Sequence, residues 1–192
     1  MCTGKCARLV GLSLVTAGLA CIVANILLMF PNMQRDWTPQ NITTQVWLMG
    51  GLVGGGLMVS AQGWWVGLDD PRGPTGPPSL SPPPQMLRSV FCSIFGGLGG
   101  FYCLVVSSTA LAEGPWCEAK DGTWGSPFKD LSESYLGNRT LWEECLNPPN
   151  VVMWHVVLFA ILLGLGLVEL ALCGLQVVNG LVGTVCGDCQ CL

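Results

Sequence analysis

Four apolar stretches, residues 9–30, 46–67, 90–112 and 151–181, constrain this chain more than any other feature of its sequence. A helix needs about 20 residues at 1.5 Å each to cross a hydrocarbon core about 30 Å thick, and every stretch is that long. Lipid offers no hydrogen bonds to the backbone, so such runs read as helices that satisfy their own N–H and C=O groups. Composition agrees, since 51% hydrophobic and 10% charged residues leave too little polar surface to coat a soluble domain. The expected fold is an all-α membrane protein, a four-transmembrane-helix bundle whose first partner is the lipid bilayer. A net charge of −4 offers no basic surface, which sets nucleic acid aside. The first stretch is too long for a signal-peptide core and no small-residue cleavage site follows it, so it reads as a retained span. The fourth exceeds one straight crossing and must tilt or project beyond the lipid at one end, which the sequence does not specify.

Orientation rests on three cues of unequal weight. Lys5 and Arg8 precede the first span without an acidic residue, which favours a cytosolic N-terminus. Over whole loops the basic residues divide evenly: Lys5, Arg8, Arg72 and Arg88 inside, Arg35, Lys120, Lys129 and Arg139 outside. The segment 113–150 weighs more, because it carries Cys117, Cys145 and the sequon Asn138-Arg139-Thr140, which suit an oxidising, glycosylating compartment. The layout is therefore a cytosolic N-terminus (1–8), a short outer loop (31–45), a proline-rich cytosolic connector (68–89), a small disulfide-closed extracellular loop (113–150) and a cytosolic tail (182–192). A second sequon, Asn41-Ile42-Thr43, lies close to the second span, so Asn138 is the better glycosylation candidate and Asn41 the lesser one.

Location sorts the eleven cysteines. Cys117 and Cys145 are expected to pair outside, with a chain-entropy contribution of about 3 to 4 kcal/mol. Cys21, Cys103 and Cys173 fall within apolar stretches. Cys2, Cys6, Cys92, Cys186, Cys189 and Cys191 lie at or near the cytosolic boundary, where an acyl chain enters the leaflet directly, so S-palmitoylation leads for this set, with Cys2, Cys6, Cys186, Cys189 and Cys191 its candidate sites. Zinc held by the Cys186-x-x-Cys189 spacing with Cys2 and Cys6, and plain reduced thiols, stay open beside it. No cofactor is expected.

Small residues let helix backbones approach in lipid, where the hydrophobic effect does not drive association. The second span holds two overlapping G-x-x-x-G registers, Gly50 to Gly54 and Gly51 to Gly55, and the third repeats the device from Gly96 to Gly100. An intramolecular bundle is the first reading of these registers and a homo-oligomer seam the second. Polar residues within spans are costly and mark sites or buried hydrogen bonds. Glu169 lies about 6 Å to the cytosolic side of the midplane and Asn25 about 8 Å to the outer side, so the two are not expected to pair. Gln62, Ser13 and Ser60 match Glu169 in depth. His155 is expected near Asn25 or Ser107.

Residues 69–85 are proline-rich and read as an extended connector that cannot propagate a helix. The outer segment has seven acids against three bases and carries Trp116, Trp124, Phe128, Tyr135 and Trp142, enough aromatic surface for a small cap or for partner contact. Trp37, Trp47, Trp64 and Trp65 read as interfacial anchors.

Several blocks in order along the chain carry a resemblance: Met1-Cys2-Thr3-Gly4-Lys5-Cys6-Ala7-Arg8, Val46-Trp47-Leu48-Met49-Gly50-Gly51, Met86-Leu87-Arg88-Ser89-Val90-Phe91, Asn138-Arg139-Thr140-Leu141-Trp142, and Cys173 to Gly180 followed by Cys186-Gly187-Asp188-Cys189. In these the chain resembles the transmembrane-4 L-six antigen family, which is tetraspanin-like in topology. The Cys-Cys-Gly motif of true tetraspanins is absent, and claudins place their long loop first. Relatives often have a cysteine-rich connector between the second and third spans, where this chain has the proline-rich one. The resemblance implies a non-enzymatic scaffold at the plasma membrane, or also in endosomal or lysosomal membranes, that gathers tetraspanins, integrins or receptors and influences adhesion, migration or growth. A small transporter, channel or ligand sensor built on Glu169 is the competing class. The sequence pairs no nucleophile with a base, which argues against an enzyme.

Overall fold

The computed structural model describes residues 3–30, 43–61, 83–129 and 134–186. Gln62, Asn41, Cys2, Cys189, Cys191 and most of the proline-rich connector lie outside them. Among the described residues, four helical segments are long and apolar enough to cross a membrane, Leu9–Met29, Thr44–Ala61, Val90–Glu113 and Val151–Leu181. They belong to α1 (Thr3–Met29), a second span that opens with α2 (Thr44–Trp47), α3 (Pro83–Glu113) and α4 (Val151–Cys186). Helix α3 begins three residues inside the segment expected to be extended. Pro83 opens it, at the turn where a missing N–H and a fixed φ cost least.

The second span departs from the regular helix expected over 46–67. Its first turn stops at Met49, which takes a left-handed conformation (φ 49°, ψ 35°), and the chain resumes as a π-helix over Gly50–Met58. Such a break leaves main-chain N–H groups without intrahelical partners, which lipid cannot supply. Asn25 of α1 supplies them: its Oδ1 accepts from Gly51 N at 3.1 Å and Leu52 N at 3.2 Å. On the other side of the break, Tyr102 of α3 donates its hydroxyl to the Leu48 carbonyl at 2.9 Å. Two neighbouring helices therefore repair the interruption.

The overlapping glycine registers address different neighbours. A Cβ at Gly50 would meet Val106 at 2.8 Å, and one at Gly54 would stand 2.6 Å from the Gly99 carbonyl oxygen, so this row faces α3. Gly51 lies against Cys21 of α1 and Leu162 of α4, and Gly55 against Cys21 and Glu169, so the alternate row faces α1 and α4. The chain's own helices thus occupy both rows. Gly54 and Gly99 are reciprocal, each leaving room for the other's carbonyl, and Gly100 meets Gly166 and Glu169 of α4. Gly96 is buried.

The loop between α3 and α4 forms a cap. Three short strands, β1 (Cys117–Ala119), β2 (Trp124–Gly125) and β3 (Cys145–Asn147), make an antiparallel sheet in the order β2-β1-β3. The Cys117–Cys145 disulfide closes it. A small core of Cys117, Phe128, Tyr135, Val151 and Val152 seats the cap on the start of α4. Trp154 Nε1 donates to the Leu27 carbonyl at 3.0 Å, and His155 Nε2 lies 3.0 Å from the Ala110 carbonyl, so α4 starts level with the ends of α1 and α3. At 1.5 Å per residue, α4 with its 36 residues is about 54 Å long, so its surplus length lies at the C-terminal end. There Gly180 packs against Val90 of α3.

Candidate functional site

All four spans meet at one polar centre. Glu169 of α4 is fully buried, as are Cys21 of α1 and Cys103 of α3, and Gly55 of the second span completes the group. Cys103 precedes the α3 terminus at Glu113 by ten residues, about 15 Å of helix, which puts the centre near the middle of a hydrocarbon core about 30 Å thick. Helical side chains lean toward their own N-terminus, and this carries the Glu169 carboxyl up to the level of Cys21.

Cys21 Sγ donates to Glu169 Oε1 at 3.5 Å, and Cys103 Sγ donates to the Leu162 carbonyl at 3.8 Å. Glu169 Oε2 has no hydrogen-bond partner among the described residues. It faces Gly55, where a Cβ would stand 3.0 Å away, so any larger residue at 55 would press on the carboxyl. The group comes together through bare backbone at Gly55 and Gly100.

These contacts correct two of the three partners expected for Glu169, Ser13 and Ser60, while Gln62 lies outside the described residues. Ser13 turns back to the Leu9 carbonyl at 2.9 Å, and Ser60 Oγ lies over Gly18 with no hydrogen-bond partner among the described residues. A thiol replaces the expected hydroxyl because the Glu169 side chain leans toward the α4 N-terminus and reaches the level of Cys21, which lies eight residues, about 12 Å, along α1 from Ser13. Depth counted from Cα positions alone leaves that lean out. His155 bonds neither Asn25 nor Ser107: Asn25 is committed to the second span, and Ser107 donates to the Cys103 carbonyl at 2.7 Å. Asn25 and Glu169 remain apart in their contacts, as their depths require. The sequence offered no nucleophile beside an acid or base, whereas the fold brings the Cys21 thiol onto the Glu169 carboxyl.

The cap is bolted to the helix ends by side chains. Tyr135 donates its hydroxyl to the Leu111 carbonyl at 2.7 Å and stacks on Phe128 with ring centroids 4.7 Å apart. Burial pushes its phenol up to about 12. Trp142 Nε1 donates to the Tyr135 carbonyl at 2.9 Å, and Trp116 N donates to Thr43 Oγ1 at 3.3 Å. Glu113 takes a hydrogen bond from Gln45 and faces Lys129 Nζ at 3.7 Å, joining the second span, α3 and the cap. Asn138 caps the 3-10 turn Arg139–Glu144, its Oδ1 accepting from Thr140 N at 3.2 Å and Thr140 Oγ1 at 2.6 Å. Trp124, Leu136 and Leu146 stay exposed on the cap.

Four spans closed at one end by a disulfide-stapled cap define a multi-pass membrane protein. The L6 membrane protein family model matches residues 1–190, and the chain belongs to that family. It is 51% identical over 191 residues to Transmembrane 4 L6 family member 5 of Homo sapiens, covering 99% of this chain and 96% of that relative. The Bos taurus protein of the same name is 50% identical over 190 residues, with 99% and 96% covered. Transmembrane 4 L6 family member 1 of Mus musculus is 42% identical over 193 residues, with 98% and 96% covered. No solved structure matches the chain.

Proposed function

We propose that this protein is a non-enzymatic membrane scaffold that gathers partner membrane proteins, among them tetraspanins, integrins or receptors, through its cap and its lipid-facing helices. The cap faces away from the cytosol, at the plasma membrane or in endosomal and lysosomal membranes. Asn138 is its glycosylation site, with Asn41 a lesser one, and Cys2, Cys6, Cys186, Cys189 and Cys191 carry acyl chains at the cytosolic edge.

The observation that carries this reading is the exposure of Trp124, Leu136 and Leu146 on a cap whose own core is already filled by Phe128, Tyr135 and Trp142. Aromatic and aliphatic anchors on a pre-ordered surface bind partners at low entropic cost. The test is co-isolation with integrin and tetraspanin from surface-biotinylated cells. Trp124→Asp with Leu146→Asp should abolish recovery of the partner while surface delivery is kept. Unchanged recovery in this variant would remove the cap from the function.

A transporter or sensor around Glu169 is the second reading, favoured by the interrupted second span and the bare Glu169 Oε2. Glu169→Gln decides between them: partner recovery survives it under the scaffold reading, and a proton-coupled activity would not.

A further inference from the structure

The scaffold reading sets partners on the cap, and the chemistry of one face of its sheet specifies their kind. Along β1, Cys117 is fully buried in the disulfide and Ala119 pairs with Cys145, so Glu118 points to the opposite face. Trp124 of β2 and Asn147 of β3 are the partners of Glu118 across the two ladders and share that face. Asn147 Nδ2 donates to Glu118 Oε2 at 2.8 Å, which holds the carboxylate in place between them. Trp124 is 41% exposed, and Leu146, beside Asn147 on β3, is 53% exposed. Asp121 stands on the turn that joins β1 to β2, where Gly122 N donates to the Ala119 carbonyl at 2.9 Å. Three strands about 4.8 Å apart make a face about 10 Å wide, which is room for one extended segment and not for a domain.

Charge selects the occupant. Of the chain's twelve acids and eight bases, segment 113–150 holds seven and three and the rest holds five of each, so the net charge of −4 belongs wholly to this segment. Its bases are engaged within the cap: Lys120 Nζ meets Glu144 at 3.1 Å, Lys129 Nζ meets Glu113 at 3.7 Å, and Arg139 lies over the Trp142 ring at 5.8 Å. Among the described residues, Glu118 and Asp121 are left without an ion-pair partner. A second copy of the cap would bring like charge against like, and anionic headgroups would be repelled in the same way. An indole beside a fixed carboxylate suits a cation, which the ring quadrupole and the carboxylate attract together. We propose, within the scaffold reading, that this face docks an extended basic segment of a partner protein. One Lys or Arg side chain of that segment lies between Trp124 and Glu118, and an apolar neighbour rests against Leu146.

The test uses the full chain in phosphatidylcholine nanodiscs and, as probe, a fluorescent peptide of Arg-Gly-Leu-Gly repeats, with Glu-Gly-Leu-Gly repeats as its acidic counterpart. Extended, each repeat presents its charged residue and Leu on one side. Anisotropy should show the basic peptide bound at least about tenfold more tightly than the acidic one, with affinity falling as salt is raised. Glu118→Gln with Asp121→Asn keeps an acceptor for Asn147 and removes only charge; it should weaken binding about tenfold, and so should Trp124→Ala. Glu143→Gln, on the 3-10 turn, should change it less than about twofold. No binding of the basic peptide, equal binding of the two peptides, or unchanged binding in the charge-neutralised variant overturns the proposal. Binding instead of a labelled second copy in its own nanodisc, or of phosphatidylserine vesicles, would assign the face to self-association or to lipid and overturn it as well. The scaffold reading is tested apart from this: partner recovery lost in Trp124→Asp with Leu146→Asp keeps that reading even where the peptide result overturns this one.

Discussion

The membrane-spanning centre and the cap solve the same problem with opposite chemistry. Within the spans, helices are brought together by what is missing: Gly54 against Gly99, Gly100 against Gly166, and Gly55 against Cys21 and Glu169. In the cap, elements are held by what is added: a disulfide, the Tyr135 and Trp142 hydrogen bonds, and a packed aromatic core. The difference follows from the solvent. Lipid does not reward apolar burial between helices, so shape and backbone approach decide the packing. Water rewards burial, and a segment this small then gains most from a covalent closure.

Substitutions that enlarge the glycine contacts should have the largest effect. Gly54→Leu drives a side chain into the Gly99 carbonyl, which cannot move aside, and folded protein should be lost by gel filtration in mild detergent. Gly164→Leu, at a position with nothing within 4 Å, should leave the elution profile unchanged. The cap should break more gently. Cys117→Ser removes the closure of a segment with sequence separation 28 and should cost about 3 kcal/mol, read as faster proteolysis of the cap with the spans intact.

Asn25→Ala belongs to the interior but acts through a side chain. It orphans two main-chain N–H groups at the Met49 break and should cost about 1 to 2 kcal/mol in thermal unfolding in detergent. Tyr135→Phe should cost about 1 kcal/mol in the same assay. The folded phenol stands above its unfolded value of 10.0, so its contribution is whole below pH 10 and is lost as pH rises toward about 12. Tyrosinate absorbance in a Tyr102→Phe background follows that ionisation directly. The smallest effect belongs to the exposed Lys120–Glu144 pair: Lys120→Ala should change stability by less than about 0.5 kcal/mol.

The same contrast explains what could be read from the sequence. Span number and the cap disulfide follow from apolar length and from two cysteines in one polar loop, which are local properties. The Met49 break does not, because its compensation comes from Asn25 on another helix. Nor does the Cys21 contact to Glu169. Each span is apolar on nearly every face, so periodicity gives no rotation, and the facing residue is fixed only by packing. The glycine registers named the second span's contact rows without naming their partners, and Gly18 and Gly166 went unmarked although each meets a helix backbone. The strands of the cap are too short, at two or three residues each, to leave an alternating pattern.

Under the scaffold proposal four spans carry a cap that faces away from the cytosol, and a glycan and tag map decides this layout. With an epitope at each terminus, intact cells should bind no antibody until permeabilised, and peptide-N-glycosidase should shift the wild-type protein but not Asn138→Gln. Terminal epitopes accessible on intact cells, or a cap that is labelled only after permeabilisation, would contradict the layout and with it the scaffold reading.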